Sequence, residues 1–243
     1  MTVRVNLILF ELADTTKPLP RIDPRAVHML DVLRLREGDS FHAGVVNGPR
    51  GQGVLTALGG DALTLAFSWG SEPPPLDPIT LIVGMPRPQT ARKILEEATA
   101  LGLAAMHFVR SDKGERSYGQ STLWSTGEWR EHLVRGAEQA FCTRLPEVTR
   151  ARRLVEVLAE IPEPTTRIAL DNYEAPQSLS RYHFDPHHAV ALAIGSERGW
   201  SAAERHELRA NGFSFAHLGT RVLRAETACV AALALVKARL GSL

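Results

Sequence analysis

Ala189-Val190-Ala191-Leu192-Ala193-Ile194 is apolar at every position and runs directly into Gly195. A strand with no alternation of polar and apolar residues must be covered on both faces, as parallel strands are inside a layered α/β domain. Residues 168–170 read the same way. Around these runs the chain alternates strand and helix patterns. Residues 80–83 are a strand, and Ala91, Ile94, Leu95, Ala98 and Leu101 then mark one helical face, ended by Gly102. A strand over 106–109 is followed by a helix marked by Trp129, Leu133, Ala137, Ala140 and Phe141. Ser201 and Glu204 form a capping box ahead of a helix through Leu208. A last strand over 215–218 and an alanine-rich helix over 225–240 close the chain, and the fold class is α/β.

Upstream the pattern is different. Gly70-Ser71-Glu72-Pro73-Pro74-Pro75-Leu76-Asp77-Pro78 has four prolines in six residues, which neither a helix nor a strand ladder continues through, so it reads as a stiff linker. Strand-like segments over 41–46 and 53–58 flank Asn47-Gly48, a pair suited to the positive φ angles of a tight hairpin. Residues 64–69 form a further strand. Residues 25–33 form a short helix, closed by the turn Arg36-Glu37-Gly38-Asp39. The expected organisation is a small β-barrel over 1–72, a linker over 73–78 and an α/β domain over 79–243.

In 243 residues the net charge is only +1, so no overall positive field advertises a nucleic acid, although a local patch would be invisible to that sum. Cys142 and Cys229 are isolated, without metal-ligand or redox spacing, and read as plain buried thiols of a reducing compartment. The apolar run over 5–10 is too short for a signal-peptide core or a bilayer span. A cytoplasmic protein without a membrane partner is expected. His183, His187 and His188 cluster near Asp185, which hints at a metal; the intervening Pro186 favours a polar surface loop, and no metal is expected.

Two glycine-bearing turns remain, Gly195-Ser196-Glu197-Arg198-Gly199 and Leu218-Gly219-Thr220-Arg221. Each follows an apolar run and precedes a helix pattern, which puts both at the carboxyl ends of strands, where open α/β sheets bind ligands. Gly195 and Gly199 lack the spacing of a dinucleotide fingerprint. Arg221 and Arg224 lie three apart beside Glu226-Thr227 at the mouth of the final helix. Their guanidinium groups could bond a phosphate or a base carbonyl, or Arg224 could simply pair with Glu226 or Glu197. Arg144 and Lys93 read as solvated charges rather than phosphate contacts.

Leu218-Gly219-x-Arg221-Val222-Leu223-Arg224-x-Glu226-Thr227-Ala228 resembles the C-terminal signature of the bacterial ribosomal RNA uridine-N3 methyltransferases, a family of the trefoil-knotted SPOUT superfamily. The resemblance covers essentially the whole chain. His28-Met29-Leu30-x-Val32-Leu33-Arg34-Leu35-x-x-Gly38-Asp39 resembles the family's PUA-like RNA-binding barrel. Glu97-Ala98-Thr99-x-Leu101-Gly102 resembles its first catalytic-domain helix, and Glu138-Gln139-Ala140 with Leu145-Pro146-Glu147-Val148 a segment that follows. The chain departs from the pattern in the first loop, where Ser196 and Arg198 replace a proline and a glycine, and in the second, where Thr220 replaces a proline. An arginine at 198 fits only if that residue avoids positive φ and a close approach of the ligand.

The resemblance implies a PUA-like β-barrel followed by a SPOUT domain whose last helix is tucked through a loop, working as a homodimer. It implies S-adenosylmethionine bound in the knot near Leu170, Ile194, Gly195, Glu197, Gly199, Leu218, Gly219, Val222 and Leu223, and methylation of N3 of a uridine in 16S ribosomal RNA or the small subunit. Removal of the N3 proton puts charge on the base carbonyls, which makes Arg224 the first candidate and Arg221 the second for stabilising it. Glu197 or Glu226 would act as base or hold an arginine in place. Two other readings stay open: an RNA-binding assembly protein of the same fold without turnover, and methylation of a different nucleotide.

Overall fold

In the computed structural model, which describes residues 7–243, the chain forms two compact units. The first extends to Pro75 and takes in Ala137–Leu145; the second consists of Leu76–Gly136 and Pro146–Leu243. Val5 and Asn6 of the N-terminal apolar run lie outside the described residues.

The first unit contains β1 (Leu7–Phe10), β2 (Leu19–Pro20), α1 (Pro24–Val27), β3 (Ser40–Val45), β4 (Arg50–Leu58) and β5 (Ala62–Trp69). These strands make one sheet in the order β1-β3-β4-β5-β2, with β1 parallel to β3 and the other pairs antiparallel. The sheet is curled around aromatic residues. Phe10 meets Phe67 edge-on at 5.0 Å, and Phe67 stacks on Trp69 at 5.0 Å. Ile8, Leu19, Met29, Leu55 and Leu63 fill the remaining core, each contributing about 1.5–3 kcal/mol by leaving water. The helix expected over 25–33 is α-helical only through Val27, capped by the Asp23 carboxylate, and continues as wider turns over His28–Val32.

The 45–50 hairpin differs from the tight Asn-Gly turn expected from the sequence. Asn47 takes the left-handed conformation (φ 58°), but Gly48 does not, and the Val45 N–H donates to Pro49 across a longer loop. The cause lies in the returning segment 137–145. The Asn47 N–H donates to Thr143 O, the Asn47 side-chain oxygen accepts from the Leu145 N–H, and the Thr143 hydroxyl donates to Gly48 O. The same segment shortens the helix marked by Trp129 to Phe141. That helix stops at Gln139, Phe141 adopts φ 58°, and its carbonyl and ring are both held by Arg50. Arg144, expected to be solvated, clamps the carbonyls of Pro73 and Pro74, at 3.1 and 3.0 Å.

The second unit contains β6 (Asp77–Gly84), α2 (Pro88–Ala100), β7 (Leu103–Arg110), α3 (Thr122–Ser125), α4 (Glu128–Gln139, whose last turn belongs to the first unit), β8 (Glu147–Arg153) and α5 (Leu154–Leu158). It continues with β9 (Thr165–Leu170), β10 (Gln177–Ser178), β11 (Ala189–Ile194), α6 (Ala202–Ala210), β12 (Ser214–His217) and α7 (Ala225–Leu240). The strands form one sheet in the order β10-β12-β9-β11-β6-β7-β8, every pair parallel. β6 starts inside the proline run. The ladder accommodates Pro78 through a register irregularity between Asp77 and Thr80.

The apolar runs expected as buried strands are β9 and β11, which lie side by side in the interior of the sheet. Ile82, Val109, Ala169, Ala191 and Ala193 pack with Trp200, Leu208, Phe213 and Phe215 in one core. The α2 face Ala91, Ile94, Leu95 and Ala98 is buried, and Gly102 (φ 77°) follows the helix end. The capping box of α6 forms as expected. The Ser201 hydroxyl accepts from the Glu204 N–H at 3.0 Å, and the Glu204 carboxylate accepts from the Ser201 N–H at 2.7 Å. Glu204 also accepts from the Asp112 N–H at 2.9 Å, which ties α6 to the loop after β7. No described helix is long and apolar enough to cross a membrane.

Candidate functional site

Because every strand of the second sheet is parallel, the carboxyl ends of β12, β9 and β11 emerge together on one side of it. The loops that leave them enclose a cavity of about 560 Å³. Its lining comes from Leu170–Tyr173 after β9, Ile194–Gly199 after β11 and His217–Leu223 after β12, with Ala225 and Ala228 of α7. Leu170, Ile194, Gly195, Glu197, Gly199, Leu218, Gly219, Val222 and Leu223 all lie on this lining.

The loop after β11 folds back on itself so closely that residue 195 has no room for a side chain. A Cβ there would stand 2.9 Å from Gly199 backbone atoms and 3.0 Å from the Trp200 nitrogen. The Gly199 N–H donates to Ser196 O at 2.8 Å, and Gly199 itself sits at φ 66°. Arg198 is exposed and avoids positive φ, so the replacement of a glycine costs the loop nothing in backbone strain. Glu197 is exposed and accepts from the Arg87 N–H at 3.0 Å, which fixes the loop against the start of α2. Ser196 is 6% exposed, and its hydroxyl has no hydrogen-bond partner among the described residues.

The loop after β9 is anchored by a carboxylate that the sequence reading overlooked. Asp171 accepts from the N–H groups of Tyr173 at 2.7 Å and Glu174 at 2.8 Å. Its other oxygen accepts from the Arg205 guanidinium at 2.8 Å, in an ion pair whose side chains are 2% and 10% exposed. The signal was an acidic residue immediately after the apolar run 168–170. His217, also overlooked, accepts the Gly219 N–H on Nδ1 at 3.0 Å, so its neutral ring carries its proton on Nε2.

The charged candidates separate into two groups. Arg221 and Glu197 line the cavity; Arg224 and Glu226 do not. Arg224 is the N-cap residue of α7, between the lining residues Leu223 and Ala225, and its side chain makes no capping bond. Arg221 and Arg224 are exposed, and among the described residues neither guanidinium has a hydrogen bond or salt bridge. The pairing of Arg224 with Glu226 or Glu197, left open by the sequence, is not formed as a hydrogen bond or salt bridge, although Glu226 feels the Arg224 charge. Glu226 instead meets Lys93 of α2 at 3.3 Å; Lys93 stays exposed to solvent, as expected, while making this contact. Burial raises the Glu226 pKa, but its own backbone N–H, Lys93 and Arg224 outweigh that and hold it below the usual carboxylate range. Cys229, one turn into α7, is buried and its thiol is pushed well up by desolvation. The histidine loop holds one ion pair, His188 to Asp185 at 3.6 Å, and among the described residues no three His, Cys, Asp or Glu side chains converge as metal ligands.

A family model described as an RNA methyltransferase domain matches residues 72–237. A ribosomal RNA small subunit methyltransferase E from Treponema pallidum is 34% identical over 243 residues, covering 96% of this chain and 91% of that protein. The crystal structure of a ribosomal RNA small subunit methyltransferase E from Neisseria gonorrhoeae, bound to S-adenosyl methionine, is similar with a TM-score of 0.75 and 23% identity, over 97% of this chain and 98% of that one. A methyltransferase structure from Legionella pneumophila in complex with the same cofactor has a TM-score of 0.80 and 21% identity, over 97% and 98% of the two chains. The mixed α/β fold of this chain is the fold of those structures.

Proposed function

The chain belongs to the RNA methyltransferase domain family, and from that premise we propose that it transfers a methyl group from S-adenosylmethionine to N3 of a uridine in 16S ribosomal RNA. The observation that carries the reading is the cavity at the ends of β9, β11 and β12, on whose lining all nine residues assigned to the cofactor meet. Its volume, about 560 Å³, is that of a small-molecule site. Leu170, Ile194, Leu218, Leu223, Ala225 and Ala228 offer apolar surface to an adenine and ribose, and the unpartnered Ser196 hydroxyl offers a polar contact.

S-adenosylmethionine, when bound, supplies a methyl group on a sulfonium that departs as a neutral thioether and needs no proton. The chain's own task is the base. Neutral N3 of uridine has no available lone pair, so its proton must leave before or as the methyl arrives, and charge then builds on the flanking carbonyl oxygens. Arg221, on the lining, and Arg224, between the lining residues Leu223 and Ala225, carry guanidinium donors for that charge. Glu197 receives the imide proton: it is exposed at the lining and one backbone N–H occupies only part of its acceptor capacity. Glu226, whose pKa its own backbone N–H and Lys93 lower against its burial, ties the start of α7 to α2.

The same reading makes the curled sheet of the first unit a PUA-like barrel that docks RNA, followed by a short proline-rich linker and a SPOUT domain whose first strand is β6. The exposed Arg34 and Arg36 support an RNA-facing role for that barrel. It gives the second unit a trefoil knot closed by α7. Support comes from β12, which lies between β9 and β10 inside the sheet and is joined to α7 by a loop, residues 218–224, most of which lines the cavity. It makes the protein a cytoplasmic homodimer acting on the small ribosomal subunit.

The test is methyl transfer from labelled S-adenosylmethionine to unmodified small subunits, followed by nucleoside mass analysis. The expected product is 3-methyluridine. Another methylated nucleoside reassigns the target, and bound RNA without label makes the protein a non-catalytic assembly factor.

Ser196→Ala separates cofactor binding from folding. Removing a buried hydroxyl that has no partner leaves the ligand-free protein as stable as before or more so. Affinity for S-adenosylmethionine falls by about tenfold, the scale of one hydrogen bond lost in a buried site. Thermal unfolding of the free protein and calorimetric titration measure the two effects; equal affinities would show that the hydroxyl plays no part in binding.

A further inference from the structure

Tyr173 is 83% exposed, although it lies on the lining of the cavity and follows a buried strand. An aromatic ring left in water at the edge of a site is a surface that folding alone does not use. Its placement is nonetheless fixed. The Tyr173 N–H donates to Asp171, and the Asp171 carboxylate holds Arg205, whose guanidinium carbon lies 5.4 Å from the centre of the Tyr173 ring. The cation covers one face of the ring, and the exposure of the residue leaves the other open. Two more apolar side chains on the lining, Val222 at 84% exposure and Leu223, project from the loop after β12. Arg221 sits on that same loop.

We propose that Tyr173 is the stacking platform for the target base. The inference rests on the methyltransferase reading and adds a residue that positions the acceptor. A pyrimidine buried in folded RNA cannot present N3 to a methyl donor, so it must be turned out of its stack, and an enzyme that turns out a base has to replace the stacking it loses. The open face of Tyr173 does this at the mouth of the cavity. Asp171 holds the Tyr173 backbone and Arg205 lies over one face of its ring, and Arg221 reaches the base from the facing loop. The role assigned to Tyr173 is that of its aromatic face, which Phe and Trp also carry.

The experiment compares wild-type protein with Tyr173→Ala, Tyr173→Phe and Tyr173→Trp, with small ribosomal subunits as methyl acceptor. Tyr173→Ala is expected to raise KM for the subunit about tenfold or more, the scale of one lost base–aromatic stack. Its affinity for S-adenosylmethionine by titration, the melting temperature of the free protein and its mass in solution stay those of wild type. The Phe and Trp variants keep the wild-type KM. Wild-type KM in Tyr173→Ala overturns the proposal. So does a fall in cofactor affinity, which would put the ring on the cofactor, or a change in solution mass, which would make it an interface residue. A wild-type protein that binds cofactor but methylates no RNA overturns the reading of function, and the role of Tyr173 with it.

Discussion

Arg224→Ala lowers turnover about a hundredfold or more, the scale of losing one transition-state donor, and leaves affinity for S-adenosylmethionine within a few-fold of wild type. Two structural facts separate the effects. Arg224 does not line the cavity, so the cofactor's surroundings are unchanged by its loss. Its side chain makes no capping bond to α7, so the helix does not depend on it. The guanidinium matters only when charge develops on the uracil oxygens, so the loss falls on kcat. Single-turnover methyl transfer measured beside a cofactor titration checks this. Unchanged turnover would pass the role to Arg221, which lies on the lining, and Arg221→Ala is the companion variant.

Asp171→Ala destabilises the protein by about 3–5 kcal/mol, because it strands the Arg205 guanidinium in an interior where its charge has lost its main partner. Glu174, at 3.7 Å from Arg205, is too far for a hydrogen bond and is itself committed to Arg209. The substitution also removes the acceptor for the N–H groups of Tyr173 and Glu174, so the loop after β9 loses its shape together with the fold's stability. Denaturant unfolding gives the first effect. A drop in cofactor affinity at temperatures where the variant is still folded gives the second. Wild-type stability would mean that Arg205 finds another partner when Asp171 is absent.

The sequence exposed those parts of the fold whose physics is local. β9 and β11 announced themselves because an interior parallel strand needs apolar residues on both faces, and Gly195 because a chain that folds back on itself excludes a Cβ. The capping box at Ser201 and Glu204 depends only on residues three apart. β8 was missed for the opposite reason. It is an edge strand, carries Glu147, Arg150, Arg152 and Arg153, and takes a left-handed residue at Ala151 where its register shifts, so no apolar pattern marks it. The two-residue β10 is too short to have a period.

In the candidate site the same division holds. The glycine turns were legible because they are local. The partnership of Asp171 with Arg205 spans 34 residues, and the unpartnered state of Ser196 depends on everything packed around it; neither leaves a signature in sequence spacing. The open ends of Arg221 and Arg224 were undecidable for the same reason. A charge is free only once every carboxylate that could neutralise it has been placed, and here Glu226 went to Lys93 and Glu197 to a backbone N–H.

The segment Ala137–Leu145 has a consequence for the order in which this protein can be made. It supplies Glu138 to the Leu9 N–H, Thr143 to Gly48 and Asn47, and backbone partners to Arg50 and Asn47, all in the first unit. A nascent chain that has produced every strand of that unit still lacks these contacts until the ribosome has passed residue 145, after β6, α2, β7 and α4 have been made. Vectorial synthesis ordinarily lets an N-terminal unit finish before its successor begins. Here a piece ending at Pro75, if cut out, transplanted or inherited by itself, would leave behind the partners of Leu9, Asn47, Gly48 and Arg50.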